Sequence, residues 1–198
     1  MDSQNEKIIK LFHQQQGYIR TSDIQAAGIH NTQLDPLLEE GQIIKLKQGL
    51  YKLTDWETED ELEDIVHIVP NGVVCLLSAW NFYELSNYVP PVYHMALEKN
   101  EKVAIPAYPP IQLYYWTQKY WELGITSVKI GHTEVKIYDK EKCVCDAIRY
   151  RNKLGKEVEK EVLENYLKLP DRNIDLLFRY AKELRVNTKL SQYLELLL

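Results

Sequence analysis

The spacing of apolar positions changes several times within residues 1–57, and each change predicts a different element. Ile8, Ile9, Leu11 and Phe12 fall at helical intervals and predict a first amphipathic helix over about residues 4–15. Thr21 or Ser22 can cap a short second helix by accepting a bond from an orphan backbone N–H, and Gly28 suits the left-handed position that ends it. Leu34, Leu37 and Leu38 stand at i, i+3 and i+4, which predicts a third helix with one face on a core, closed by Gly41. Pro36 falls inside that helix, where it removes a donor and crowds the preceding turn, so the helix is expected to begin late or to bend. A period-two alternation follows. It places Ile44 and Leu46 inward, Lys45 and Lys47 outward, a tight turn at Gly49, and Tyr51 and Leu53 inward on the return. Small helices followed by a hairpin are the parts of a winged helix-turn-helix, here residues 1–57.

From Asp55 to Asp64 seven of ten residues are acidic. Thr58 and Glu61 fit a capping box, and Leu62, Ile65, Val66 and Val69 continue at helical spacing until Pro70-Asn71-Gly72. This predicts an acidic linker helix over 58–71, its charges on a solvated face. Val73 to Tyr88 is apolar and aromatic and predicts a buried central helix. Extended pieces are expected at 92–98, 102–105, 111–116, 126–130 and 134–138, with a hairpin turn at Gly131-His132. From Asp139 the pattern is helical, with breaks near Gly155, Pro170 and Asn187, and a last helix carrying Leu190, Tyr193, Leu194 and Leu197 on one stripe. The expected fold class is α+β: a winged helix-turn-helix, then a mixed α/β domain over 72–198 with a small sheet in 92–138 and a helical bundle in 139–198.

Composition narrows the function. A chain of 198 residues, 45% hydrophobic and 27% charged, is ordinary for a globular protein. It has no 18-residue apolar run and a polar start, so neither a membrane span nor a secretory signal is expected, and the chain is placed in the cytoplasm. Three cysteines at unhelpful spacing read as reduced core thiols. The net charge is −5, and residues 1–58 carry six Lys or Arg against eight Asp or Glu. A nucleic-acid site must therefore be a local basic patch of modest affinity, doubled in a homodimer or on paired operators. In a winged helix, base edges would be read by His30, Asn31, Thr32 and Gln33 near the start of the third helix, while Lys45, Lys47 and Lys52 hold phosphates. Against this stand Asp35, Glu39 and Glu40, which phosphates repel and which favour the alternative reading, a structural or protein-docking module.

Several segments together resemble the AbiEi family of antitoxins, transcriptional regulators of bacterial abortive-infection systems. They are Gly49-Leu50-Tyr51, Gly72-Val73-Val74-Cys75-Leu76-Leu77-Ser78-Ala79, Val103-Ala104-Ile105-Pro106, and Glu141-Lys142-Cys143-Val144-Cys145-Asp146 leading to Arg149-Tyr150-Arg151-Asn152-Lys153-Leu154-Gly155. In order and approximate spacing the resemblance covers nearly the whole chain, about residues 20–190. The resemblance implies an N-terminal winged helix, a C-terminal antitoxin domain, repression of the chain's own operon, and neutralisation of a nucleotidyltransferase-like toxin without a stable complex (a type IV toxin–antitoxin system). Recognition helices of the family are commonly basic, whereas the third helix here is acidic and contains a proline.

A basic cluster suits the antitoxin role. On a helix beginning at Asp139, Lys142, Arg149 and Lys153 follow approximate i, i+7, i+11 spacing and share a face, with Asn152 beside them. They could contact an anion or RNA; the competing reading is a solvated face. Enzymatic chemistry finds little support. Glu134-Val135-Lys136 resembles half of a restriction-nuclease metal site, but no aspartate lies between Asp64 and Tyr138 to share the ion, and Glu98 and Glu122 are unmotivated substitutes. The five histidines are scattered, and phosphate-loop and nucleophile motifs are absent, so no metal or cofactor is expected and the chain is read as a non-enzyme.

Overall fold

A computed structural model describes residues 2–197; Met1 and Leu198, the ends of the expected ranges, and the side chains of Asp2, Ser3, Gln4, Leu196 and Leu197 lie outside what it describes. The chain divides into two compact units. The first comprises Met1–Asn71, Val103–Pro109 and Lys129–Glu134, the second Gly72–Lys102, Pro110–Val128 and Val135–Leu198. Both mix helices and sheet.

The first unit opens with α1 (Asp2–Gln14), whose Ile8 and Phe12 are fully buried. β1 (Tyr18–Arg20) follows, a strand the hydrophobic pattern did not announce because three residues are too few to show a period. α2 (Thr21–Ala26) is capped by neither Thr21 nor Ser22: both lie inside it, and Asp23 accepts from the Arg20 backbone N–H at 2.9 Å instead. The expected third helix is two pieces, a 3-10 turn at Asn31–Leu34 and α3 (Asp35–Glu39). Pro36 sits in the first turn of α3, where its missing N–H costs nothing; the helix begins late. β2 (Ile43–Lys47) and β3 (Leu50–Leu53) form the hairpin, and the antiparallel sheet runs β1-β3-β2.

The hairpin faces the opposite way from the expected alternation at its start. Ile43 pairs with Leu53 and both are buried, whereas Ile44 is 43% exposed. A bulge between Lys45 and Lys47 then shifts the register, so Lys47 pairs with Leu50 rather than continuing beside Lys45. The rows Tyr18–Lys52–Ile44 and Arg20–Leu50–Lys47 therefore share one face, away from the core of Ile8, Phe12, Ile19, Ile24, Leu34 and Leu37.

That second face meets α4 (Leu62–Ile68). Residues 58–71, expected as a linker with a solvated acidic face, fall inside the first unit. The Thr58–Glu61 capping box does not form; Asp60 accepts from the Leu62 N–H at 2.7 Å. Glu63 is 1% exposed, and its carboxylate accepts from the Glu59 and His132 backbone N–H groups and from Thr133 Oγ1. Gly131, with φ 52°, leaves room for that carboxylate.

In the second unit Val73-Val74 form β4 rather than the start of a long helix, and α5 (Leu76–Phe82) is seven residues long. The other elements are β5 (Tyr93–Glu98), β6 (Ile111–Trp116), α6 (Gln118–Glu122), and β7 (Ile125–Ile130) and β8 (Thr133–Tyr138), whose residues 129–130 and 133–134 are counted with the first unit. Residues 102–105 form no strand. The five-stranded sheet has the order β6-β5-β4-β8-β7, with β5 parallel to β6, β4 parallel to β8, and β4 antiparallel to β5. Four helices close the chain: α7 (Lys140–Leu154), α8 (Lys156–Lys168), α9 (Ile174–Glu183) and α10 (Asn187–Leu197); α7 packs against the other three.

Candidate nucleic-acid interface

The four residues expected to read bases lie together on the 3-10 turn and its cap. His30 and Thr32 are exposed, and Asn31 and Gln33 half-buried. His30 Nδ1 lies 2.9 Å from Thr32 Oγ1 and accepts from the Thr32 N–H at 3.4 Å, so the imidazole is tied to its own turn. Thr32 and Gln33 line a cleft of about 820 Å³ whose opposite wall is α1, through Ile9, Lys10 and His13.

The three expected phosphate lysines separate. Lys45 is exposed, its ammonium 2.8 Å from Gln48 Oε1. Lys47 turns to the α4 face, where it donates to the Ile68 carbonyl at 2.5 Å and the Ala104 carbonyl at 3.3 Å; burial, then the neighbouring Arg20, pulls its pKa below the usual lysine range. Lys52 is 7% exposed and pairs with Asp64 at 2.8 Å, with Thr58 Oγ1 at 3.3 Å. The expectation that Lys47 and Lys52 project outward is thus corrected. The bulge turns the first onto the α4 face, and α4 covers the second.

Arg20 shares this fate, donating to the His67 carbonyl at 2.7 Å. The His67 ring stacks on Tyr18 with centroids 3.7 Å apart, and burial followed by Arg20 lowers its pKa to about 4. Tyr18 donates to Asp64 at 2.6 Å. One short helix therefore binds three of the basic side chains of the sheet.

In the second unit the expected basic face of α7 is shorter than its helical spacing implied. Lys142 is fully buried, paired with Asp146 at 2.6 Å and held 4.4 Å and 4.5 Å from the Trp116 and Tyr138 ring centroids. The stripe is real, but it runs from the buried first half of α7 to its exposed end. Arg149 is half-buried, its guanidinium 4.1 Å over the Tyr120 ring. Asn152 and Lys153 are exposed, and Lys153 lies 5.6 Å from the Tyr150 ring centroid. Arg149, Asn152 and Lys153 remain as a surface; Lys142 serves the core. The aromatic partners Trp116, Tyr120 and Tyr150 were not singled out from the sequence, because cross-element stacking leaves no periodic signal.

Glu134 and Lys136 are exposed on β8 on either side of buried Val135, the alternation of a strand with one wet face. Among the described residues no group of three or more His, Cys, Asp or Glu could hold a metal ion, and no helix is long and apolar enough to cross a membrane. Cys75, Cys143 and Cys145 are free and buried.

No curated protein matches the chain significantly. Residues 6–54, from within α1 to one residue past the end of β3, match a family model described as a transcriptional regulator, AbiEi antitoxin. Over that span, about a quarter of the chain, the protein is similar to the AbiEi antitoxin transcriptional regulators.

Proposed function

We propose that the chain is the antitoxin of a type IV, abortive-infection toxin–antitoxin system and that it represses transcription of its own operon. In this reading α1, α2, the 3-10 turn with α3, and the β2–β3 hairpin make up a winged helix-turn-helix. The observation that carries it is coincidence: the family match ends one residue after β3, so it covers those elements and little else. His30, Asn31, Thr32 and Gln33 would face base edges, and Lys45 on the hairpin would hold a phosphate. The second unit would counteract a nucleotidyltransferase-like toxin without a stable complex, Arg149 offering a planar, bidentate anion contact beside Asn152 and Lys153. Its role is regulatory rather than catalytic.

Two experiments test this. Expression of the chain should lower transcription from a reporter carrying its own upstream DNA; an unchanged reporter removes the repressor role. Co-expression with the product of the neighbouring gene should restore growth, and Arg149→Ala with Lys153→Ala should abolish rescue at an unchanged amount of folded protein. Full rescue by the double variant would reduce that surface to solvated charge.

A second reading is favoured by the capture of Arg20, Lys47 and Lys52 by α4: a protein-interaction antitoxin whose winged helix does not bind DNA. It predicts rescue of growth without repression of the reporter.

A further inference from the structure

The first unit contains seven basic side chains: Lys7, Lys10, Arg20, Lys45, Lys47, Lys52 and Lys129. Arg20, Lys47 and Lys52 are held by α4, and Lys45 lies against Gln48. Lys7 and Lys10 are exposed one turn apart on α1, and among the described residues neither side chain has a hydrogen-bond or ion-pair partner. Both line a concavity. A cleft of about 450 Å³ is bounded by Lys7, Lys10 and Gln14 of α1 and by Ala27, Gly28 and Ile29 at the end of α2. Its remaining lining residue is Leu11, so among the described residues no carboxylate lines it. The 820 Å³ cleft, by contrast, is lined by Glu6 and Glu40 as well as Lys10.

Lys10 stands on the wall of both clefts. The acid-free one ends at Ile29, the residue before His30, and the other holds Thr32 and Gln33. We infer that the acid-free cleft between α1 and the end of α2 is a seat for a backbone phosphate of duplex DNA, held by Lys7 and Lys10, next to the turn formed by residues 30–33. The inference rests on the DNA-binding reading above and deepens it. It moves the backbone contacts from the covered face of the sheet to the first helix. The chemistry suits the ligand: two ammonium groups offer six donors to phosphate oxygens, and the Gln14 amide offers a neutral hydrogen bond at the rim. Glu6 and Glu40 keep the backbone out of the neighbouring cleft by repulsion, which fixes the side from which the duplex approaches.

The test compares the full chain with Lys7→Gln/Lys10→Gln on two duplexes of equal length, one from the DNA upstream of its own gene and one of scrambled sequence. Each neutralised phosphate contributes about −0.9 to the slope of log affinity against log salt concentration. The double variant should lose about 1.8 from the magnitude of that slope on both duplexes alike, leaving the preference between them unchanged. Lys7→Arg/Lys10→Arg should retain the slope, since the charges remain. A wild type that binds with a slope the glutamine variant does not change overturns this inference and leaves the DNA reading standing. A wild type that binds neither duplex overturns both.

Discussion

At the residue scale the first unit is set by a few contacts of narrow tolerance. Gly17 has φ 81°, and a Cβ there would stand 2.2 Å from Trp56 Cγ. Gly17→Ala should therefore cost more than about 1 kcal/mol, measured by urea denaturation, because both the backbone region and the space are wrong for a side chain. An unchanged midpoint would contradict this. His67 and Asp139 give pH dependences of opposite sign. Burial, then Arg20, lowers His67 from 6.5 to about 4, so the fold favours the neutral ring. That contribution is complete above pH 6.5 and is lost as pH falls towards 4. Burial raises Asp139 from 3.8 to about 6, so the fold favours the neutral acid; its contribution is complete below pH 3.8 and is lost as pH rises through 6. His67→Phe keeps a ring on Tyr18 and should shrink the loss of stability on acidification. Asp139→Asn keeps a capping side chain for α7, whose Asp139 accepts from the Lys142 N–H at 2.8 Å, and should shrink the loss between pH 4 and 6 on alkalinisation. Urea midpoints across pH 3.5–7 read both, and a pair of variants with the wild-type profile would contradict the two assignments.

At the scale of elements, α4 shows what charge patterning alone conceals. Asp64 receives both Lys52 Nζ and the Tyr18 hydroxyl. Asp64→Ala leaves a largely buried lysine without its partner and should destabilise the protein by about 3 kcal/mol. Asp64→Asn, which keeps an acceptor for Tyr18, should cost less. If both cost the same small amount, the ion pair is not what fixes α4 on the sheet. The α1 helix, the late start of α3 at Pro36, the hairpin, and the strand at 111–116 were legible because their signals are local: apolar period, turn glycine, proline geometry. The inversion at Ile43 and Ile44 was not legible, since two adjacent isoleucines fit either face and the choice is made by pairing with Leu53. The bulge at Lys45/Lys47 was equally hidden, because an extra residue in one strand shows only against its partner. Of the candidate sites, residues 30–33 were chosen by position in the expected motif, and the structure places them on one turn and its cap. Lys52 and Lys142 were misplaced because a lysine looks exposed in a sequence until its carboxylate partner, Asp64 or Asp146, is brought to it by the fold. Lys7 and Lys10 were passed over because exposed helix lysines are ordinary until the fold sets a cleft beside them.

At the scale of the whole molecule, a chain of net charge −5 can bind DNA only through a local arrangement of charge. Of the six basic side chains in residues 1–57, the three that α4 does not hold are Lys7 and Lys10 on α1 and Lys45 on the hairpin, three cations for a protomer. It implies weak binding by one protomer and a gain from two copies on paired sites, as an autorepressor on a repeated operator requires. Regulation and neutralisation would then belong to different parts of one chain, the first to residues 6–54 and the second to the surface of Arg149, Asn152 and Lys153. The measurement that tests this account most directly is fluorescence anisotropy of the full chain on its upstream duplex, titrated from low to physiological salt. The account predicts saturable binding at low salt, a log–log slope of about −2.7 for each bound protomer, and tighter binding than to a scrambled duplex. Absence of binding to the upstream duplex at the lowest salt would contradict it.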